Sequence, residues 1–193
     1  MGSARLGGEL PLLAFTVIAL AIAWRGRRSG APMVSTLLLI GTCAWATALV
    51  ALTLFPLPLP PYDAVGGVRA SPWIEPVPLR TIGRAIVAGW SSPEARTLVG
   101  NVAAFVPLGI LAPTLSGRAR SWARIVLLGL AVSLAVETSQ LALSLAMGFP
   151  WRVFDVDDLL LNTLGAVLGY ALWRLGFAIL RRGRPRDRTA QPA

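Results

Sequence analysis

Arg152-Val-Phe-Asp-Val-Asp-Asp-Leu-Leu-Leu-Asn-Thr-Leu-Gly-Ala-Val-Leu-Gly-Tyr170 runs from a charged opening straight into an apolar stretch of membrane length. Asp155, Asp158 and Asn162 recur at i, i+3 and i+7, one face of a helix. Gly165 and Gly169 follow at the four-residue spacing that lets two helices approach closely within a bilayer. Arg152 adds a planar fork of donors that matches a carboxylate or a phosphate. A helix that only had to span would not begin this way. Its mouth is therefore read as part of a site.

The rest of the chain places that helix in a bilayer. Of 193 residues, 55% are hydrophobic and 14% charged, against roughly a quarter charged in an ordinary soluble domain. The excess falls in five runs, about 6–24, 34–54, 98–115, 123–147 and 158–180. Most reach the ~20 residues needed to cross hydrocarbon. The expected fold is an all-α membrane protein, one membrane domain over 1–193 with about five transmembrane helices. The first run competes with a cleavable signal peptide, because Ala19-Leu20-Ala21 and Ala21-Ile22-Ala23 look like cleavage sites. Arg25, Arg27 and Arg28 follow that run, where a signal peptide carries its charge in front, so it is read as a retained helix.

Between runs two and three the chain is rich in proline. Within it, Leu79, Ile82, Ile86 and Trp90 fall at helical spacing with Arg80 and Arg84 between them, which predicts a short interfacial helix. Run three contains Asn101, Pro107 and Pro113. Pro107 removes a backbone hydrogen bond and crowds the Ala103 carbonyl, which predicts a kink.

All 18 basic residues are arginine, and the formal net charge is +9. In a soluble chain that balance would suggest nucleic acid; in a membrane protein it is read by position. Arg25, Arg27 and Arg28, then Arg118, Arg120 and Arg124, then Arg181 to Arg188 occupy connections that share one face. This predicts an outside N-terminus and a cytoplasmic C-terminus, with 181–193 as a basic disordered tail and no nucleic-acid partner. Histidine is absent and Cys43 is the single cysteine, which excludes an intramolecular disulfide and a Cys/His metal site. No cofactor or metal is expected.

That topology brings polar groups of three helices to one depth near the outer side. Asn101 stands on the third, a stripe of Ser133, Glu137, Gln140 and Ser144 on the fourth, and Asp155, Asp158 and Asn162 on the fifth. Glu137 lies ~21 Å along its helix at ~1.5 Å per residue. A charged side chain well inside a bilayer costs about 2.5–3.5 kcal/mol on insertion scales. Glu137 must then be neutralised, paired with a cation, for which Arg152 is the nearest candidate, or turned to a wet cavity. The plainer alternative is that Glu137, Gln140, Asn101 and Asn162 knit helices together, at ~0.6 kcal/mol per contact. For Asp155, Asp157 and Asp158 it is that acids favour a helix N-terminus.

The same residues resemble the VanZ-like family. Asn101-Val-Ala-Ala-Phe-Val-Pro-Leu-Gly109, Glu137-Thr-Ser-Gln140 and the Arg152–Tyr170 stretch carry the likeness, which covers about 76–173. Val77-Pro78-Leu79-Arg80-Thr81 is similar to a further family segment, with leucine where phenylalanine is usual. The resemblance implies a multi-pass protein of the bacterial cytoplasmic membrane, in a family associated with teicoplanin resistance. It implies no catalytic residues.

Three functions fit this reading. The first is binding of an amphiphilic or lipid-linked ligand, a cell-wall precursor or a glycopeptide, by Asn101, Glu137, Gln140, Arg152, Asp155, Asp158 and Asn162. Pro107, Gly109, Gly165 and Gly169 would shape the helix packing around it. The second is an intramembrane enzyme that uses Glu137 with the Asp155 and Asp158 acids; no nucleophile motif supports it. The third is an oligomeric transporter, for which five spans without an internal repeat are a poor start.

Overall fold

The computed structural model describes residues 5–7, 9–58 and 72–182. Most of the loop expected after run two, and the basic tail from Gly183 onward, lie outside the described residues. Among the described residues six α-helices follow one another: α1 (Glu9–Ser29), α2 (Met33–Leu54), α3 (Arg80–Ala88), α4 (Pro93–Leu115), α5 (Trp122–Met147) and α6 (Val156–Arg182). Every helix except α3 is long and apolar enough to cross a membrane. Among the described residues a 3-10 turn (Gly117–Ala119) and four two-residue strands complete the order, with β1 (Arg5–Leu6) against β2 (Leu57–Pro58) and β3 (Ile74–Glu75) against β4 (Phe154–Asp155).

Helix ends follow local chemistry rather than hydropathy. α1 does not stop at Trp24 but runs on through its arginines to Ser29, because arginine is a good helix former whatever its transfer cost. α4 starts earlier than its apolar run, at Pro93, where the Ser92 hydroxyl accepts the Ala95 N–H and proline occupies the first turn. It continues through both Pro107 and Pro113. α5 ends on Gly148, whose φ of +76° closes the helix in a left-handed cap.

α6 packs most closely on α4, and the two run parallel. Gly165 lies against the Val102 carbonyl, Gly169 against the Val106 carbonyl, and Gly109 against the Ala166 carbonyl. A Cβ at any of the three would overlap backbone, so the seam closes only because these positions are bare. Phe105, Leu108, Ile125, Ala166 and Tyr170 form the core beside that seam, joined by Leu49 of α2. α5 lies antiparallel across α6, and its stripe of Ser133, Glu137, Gln140 and Ser144 is buried. The Trp45 indole of α2 donates to the Ala104 carbonyl of α4 at 2.8 Å, fixing α2 against the bundle.

One end of this bundle collects the start of α4, the end of α5, the start of α6 and the end of α2. The short helix α3 and the β3–β4 pair lie there too. β3 and β4 are parallel, with Glu75 opposite Asp155, so the segment before α3 is laid against the segment before α6.

Candidate functional site

The polar residues at that end are organised by three consecutive turns of chain. First, Ser144 near the end of α5 uses one hydroxyl twice: it donates to the Arg152 carbonyl and accepts the Arg152 N–H, both at 2.9 Å. This closes the turn between α5 and α6. Second, the Glu137 carboxylate accepts the Asp155 N–H at 3.0 Å. Third, Asp155 caps α6, accepting the Asp157 N–H at 2.9 Å on one oxygen and the Thr81 hydroxyl at 2.6 Å on the other.

Asp157 then fixes α3. Its carboxylate is fully buried and accepts three backbone N–H groups, from Leu79, Thr81 and Ile82, at 2.5, 2.8 and 3.0 Å. α3 has no side-chain cap of its own, and the residue before it, Leu79, sits at φ +65°. A left-handed leucine costs on the order of 1–2 kcal/mol. Three charge-assisted hydrogen bonds at a helix N-terminus offset it. The arginines of α3 are held as well: Arg80 and Arg84 reach the two oxygens of buried Glu75, at 3.1 and 2.7 Å. Ile86, Val87 and Trp90 are left exposed.

These anchors enclose a cavity of about 440 Å³ between α2, α3, α4, α5 and α6. Asn101, Gln140, Arg152, Asp155 and Asp158 line it, with Thr53, Thr81 and Thr97 among their neighbours. Asn101 donates to Asp158 at 2.5 Å, and Gln140 donates to the Thr53 carbonyl at 3.0 Å. Glu137 and Asn162 are not part of the lining. Both are buried in the α5–α6 contact, where the Asn162 amide donates to the Ser133 hydroxyl at 2.9 Å.

Two expected relationships take a different form. Glu137 does not ion-pair with Arg152; the ion pairs among the described residues are those of Glu75. The Ser144 bonds hold the Arg152 backbone in the turn, its guanidinium lies 4.8 Å over the Trp151 ring, and Glu137 is used by a backbone N–H instead. Nor do all three of Asp155, Asp158 and Asn162 lie on one helix: Asp155 precedes α6 in β4, while Asp158 and Asn162, one turn apart on α6, reach different partners, Asn101 of α4 and Ser133 of α5.

Arg152 is the least committed polar group of the cavity. Its Nε is buried without a hydrogen-bond partner. Burial pushes the guanidinium below the ordinary arginine value, while the negative charges of Asp158 and Glu137 act the other way. By contrast both oxygens of Asp155, and at least one oxygen of Glu137 and of Asp158, are engaged within the protein.

Sequence reasoning missed Asp157, Glu75 and Thr81 as site-forming residues. A signal for Asp157 existed. Neighbouring residues on a helix point about 100° apart, so Asp157 and Asp158 could not serve one partner. A helix at 80–88 without Ser, Thr, Asp or Asn before it also needed an acceptor from elsewhere.

Five membrane-length helices, a glycine-closed seam and a polar cavity at one bundle end define a multi-pass all-α membrane protein. The family model described as VanZ/LLP1 matches residues 42–180, most of the chain, from the middle of α2 to near the end of α6. The chain belongs to that family. No curated protein and no solved structure matches it.

Proposed function

We propose that the cavity binds the head of an amphiphilic or lipid-linked ligand of the bacterial cell envelope. Through that ligand the protein contributes to glycopeptide tolerance of the teicoplanin type, or to envelope function more generally. The observation behind this reading is Arg152, a buried guanidinium nitrogen without a partner beside a cavity of about 440 Å³. Arginine in that state suits a phosphate or carboxylate. The Asn101 and Gln140 amides and the threonine hydroxyls suit sugar or peptide groups of the same head. Apolar lining from Leu52, Ala104 and Val153 suits the start of a hydrocarbon tail.

The arginine distribution supports an outward-facing cavity in the cytoplasmic membrane. Arg118, Arg120, Arg124 and Arg181 stand at the opposite helix ends, as cytoplasmic arginines do. Binding is favoured over acid–base catalysis because Asp155 spends both carboxylate oxygens within the protein, Glu137 and Asp158 each hold a protein donor, and Glu137 lies outside the cavity lining.

The test is teicoplanin and vancomycin susceptibility, side by side, in a sensitive host at matched membrane levels of each variant. Protection by wild type that is lost in Arg152→Ala and largely kept in Glu137→Gln is expected, since glutamine still offers an acceptor to the Asp155 N–H. Full protection by an abundant Arg152→Ala protein would sink the proposal.

A further inference from the structure

The opposite end of the bundle has a second recess, formed by the start of α5 and the last turns of α6. Its volume is about 610 Å³, and Arg120, Arg174, Arg181, Trp122, Trp173 and Phe177 line it. Tyr170, Trp173 and Phe177 share one face of α6 and stack in a ladder, with ring centroids 5.7 and 5.3 Å apart and planes 9° from parallel at both steps. The Trp122 ring meets Tyr170 edge-on at 4.7 Å.

Three guanidiniums sit on this aromatic wall. Arg120 lies 5.5 Å over Trp173, Arg174 lies 5.7 Å over Trp122, and Arg181 lies 5.5 Å over Phe177. None of the three has a carboxylate partner among the described residues, where the ion pairs belong to Glu75 at the far end. Arg120 spends only its Nε, on the Pro113 carbonyl at 3.1 Å. Three like charges gathered on one recess without a counter-ion are paired most simply by an anion that offers each of them an acceptor oxygen, as a phosphate does.

The surroundings decide which anion. α5 and α6 are both helices of membrane-crossing length, so their ends meet the bilayer–water interface, the level at which tryptophan and tyrosine collect. Leu172, Leu175 and Ile179 are exposed along the same stretch of α6 and extend the apolar surface toward the bilayer. A soluble anion would use the arginines and leave the ladder idle. An anionic lipid uses both.

We propose that this recess is a binding site for an anionic phospholipid, with the phosphate among Arg120, Arg174 and Arg181 and the acyl chains along Trp173, Phe177 and the exposed leucines beside them. It is separate from the cavity around Arg152, since Asp158 and Arg181 lie ~35 Å apart along α6 at helical rise.

The experiment uses the full chain in phosphatidylcholine vesicles containing an equal mole fraction of brominated phosphatidylglycerol or brominated phosphatidylcholine. Tryptophan quenching reads which lipid sits in the recess. Brominated phosphatidylglycerol should quench in clear excess, and the lipid preference should fall about fivefold for each arginine removed. The excess should vanish in Arg120→Gln/Arg174→Gln and persist in Arg25→Gln/Arg27→Gln, which lowers the charge of the same face elsewhere. Should the first double variant fail to reconstitute, the exposed Arg181→Gln takes its place, with a reduced excess expected. Equal quenching by both lipids in wild type would overturn the proposal. So would an excess unaffected by the recess variants, an excess lost equally in the Arg25→Gln/Arg27→Gln control, or one abolished by inorganic phosphate.

Discussion

The Glu137 carboxylate of α5 accepts the Asp155 N–H at 3.0 Å, so an acid deep in one span sets the position at which the next span begins. Asp155 passes that constraint on, through its two carboxylate oxygens, to Thr81 in the first turn of α3 and to the first turn of α6. The polar residues of this end thus form a chain of supports around the cavity. Each support makes a separate prediction.

Replacing Glu137 tests the first. Glu137→Leu strands a buried N–H and should destabilise the protein by about 1–3 kcal/mol, whereas Glu137→Gln should cost less than ~1.5 kcal/mol. Chemical unfolding in detergent micelles distinguishes them. If the leucine variant matched wild type, the bond would not be what fixes the start of α6.

Asp157 holds a helix it does not belong to. In Asp157→Ala, three N–H groups at the start of α3 lose their acceptor, with hydrogen bonds to charged groups worth ~1.5–3 kcal/mol. Amide exchange should quicken at Leu79, Thr81 and Ile82 while the core of α4 stays protected. Unchanged exchange at those amides would contradict the capping role.

At the α4–α6 seam the prediction is steric. Gly169→Leu places side-chain atoms against the Val106 carbonyl, and overpacking of this kind costs about 1–3 kcal/mol or more. Gly176→Ala on the same helix meets nothing nearby and should be neutral, or stabilising by up to ~1 kcal/mol. Melting temperatures of the two variants, measured together, separate a packing effect from one of helix propensity.

Thr81→Val removes the hydroxyl that reaches Asp155 at 2.6 Å but keeps the side-chain shape. A loss of ~1–2 kcal/mol in stability is expected, larger than for the exposed Thr97→Val. Equal effects would mean that the α3 segment is not tied to α6 through this contact.

The five spans were legible because long apolar runs have few other uses, and the α3 segment because Ile82 and Ile86 keep helical spacing around Arg80 and Arg84. Boundaries were less so. The arginines after Trp24 read as a loop by hydropathy and fold as helix, while the Ser92-Pro93 start of α4 was visible only as capping chemistry. Of the cavity wall, Thr53, Thr81 and Thr97 were not identifiable, while Asn101, Gln140, Arg152, Asp155 and Asp158 were, as polar groups near one end of the bundle. Their pairing was not. A sequence shows that Glu137 and Arg152 have opposite charges; it does not show that a backbone N–H reaches Glu137 first. Asp157 was hidden for a related reason, because its partners are main-chain amides 75 to 78 residues away, for which no side-chain spacing exists. Glu75 pairs with arginines close by in sequence, 5 and 9 residues on, but across an irregular segment that has no fixed period.

Whether Arg152 holds the head of an amphiphile is tested most directly by binding. The purified protein in nanodiscs is titrated with a polyprenyl phosphate and with the matching uncharged polyprenol, using wild type and Arg152→Gln. Wild type should prefer the phosphate by about tenfold or more, as expected of a charge-assisted bond to a half-buried guanidinium. That preference should disappear in the variant. Equal affinity of wild type for the two lipids, or a preference that survives in folded Arg152→Gln, would contradict a phosphate-binding role for the cavity.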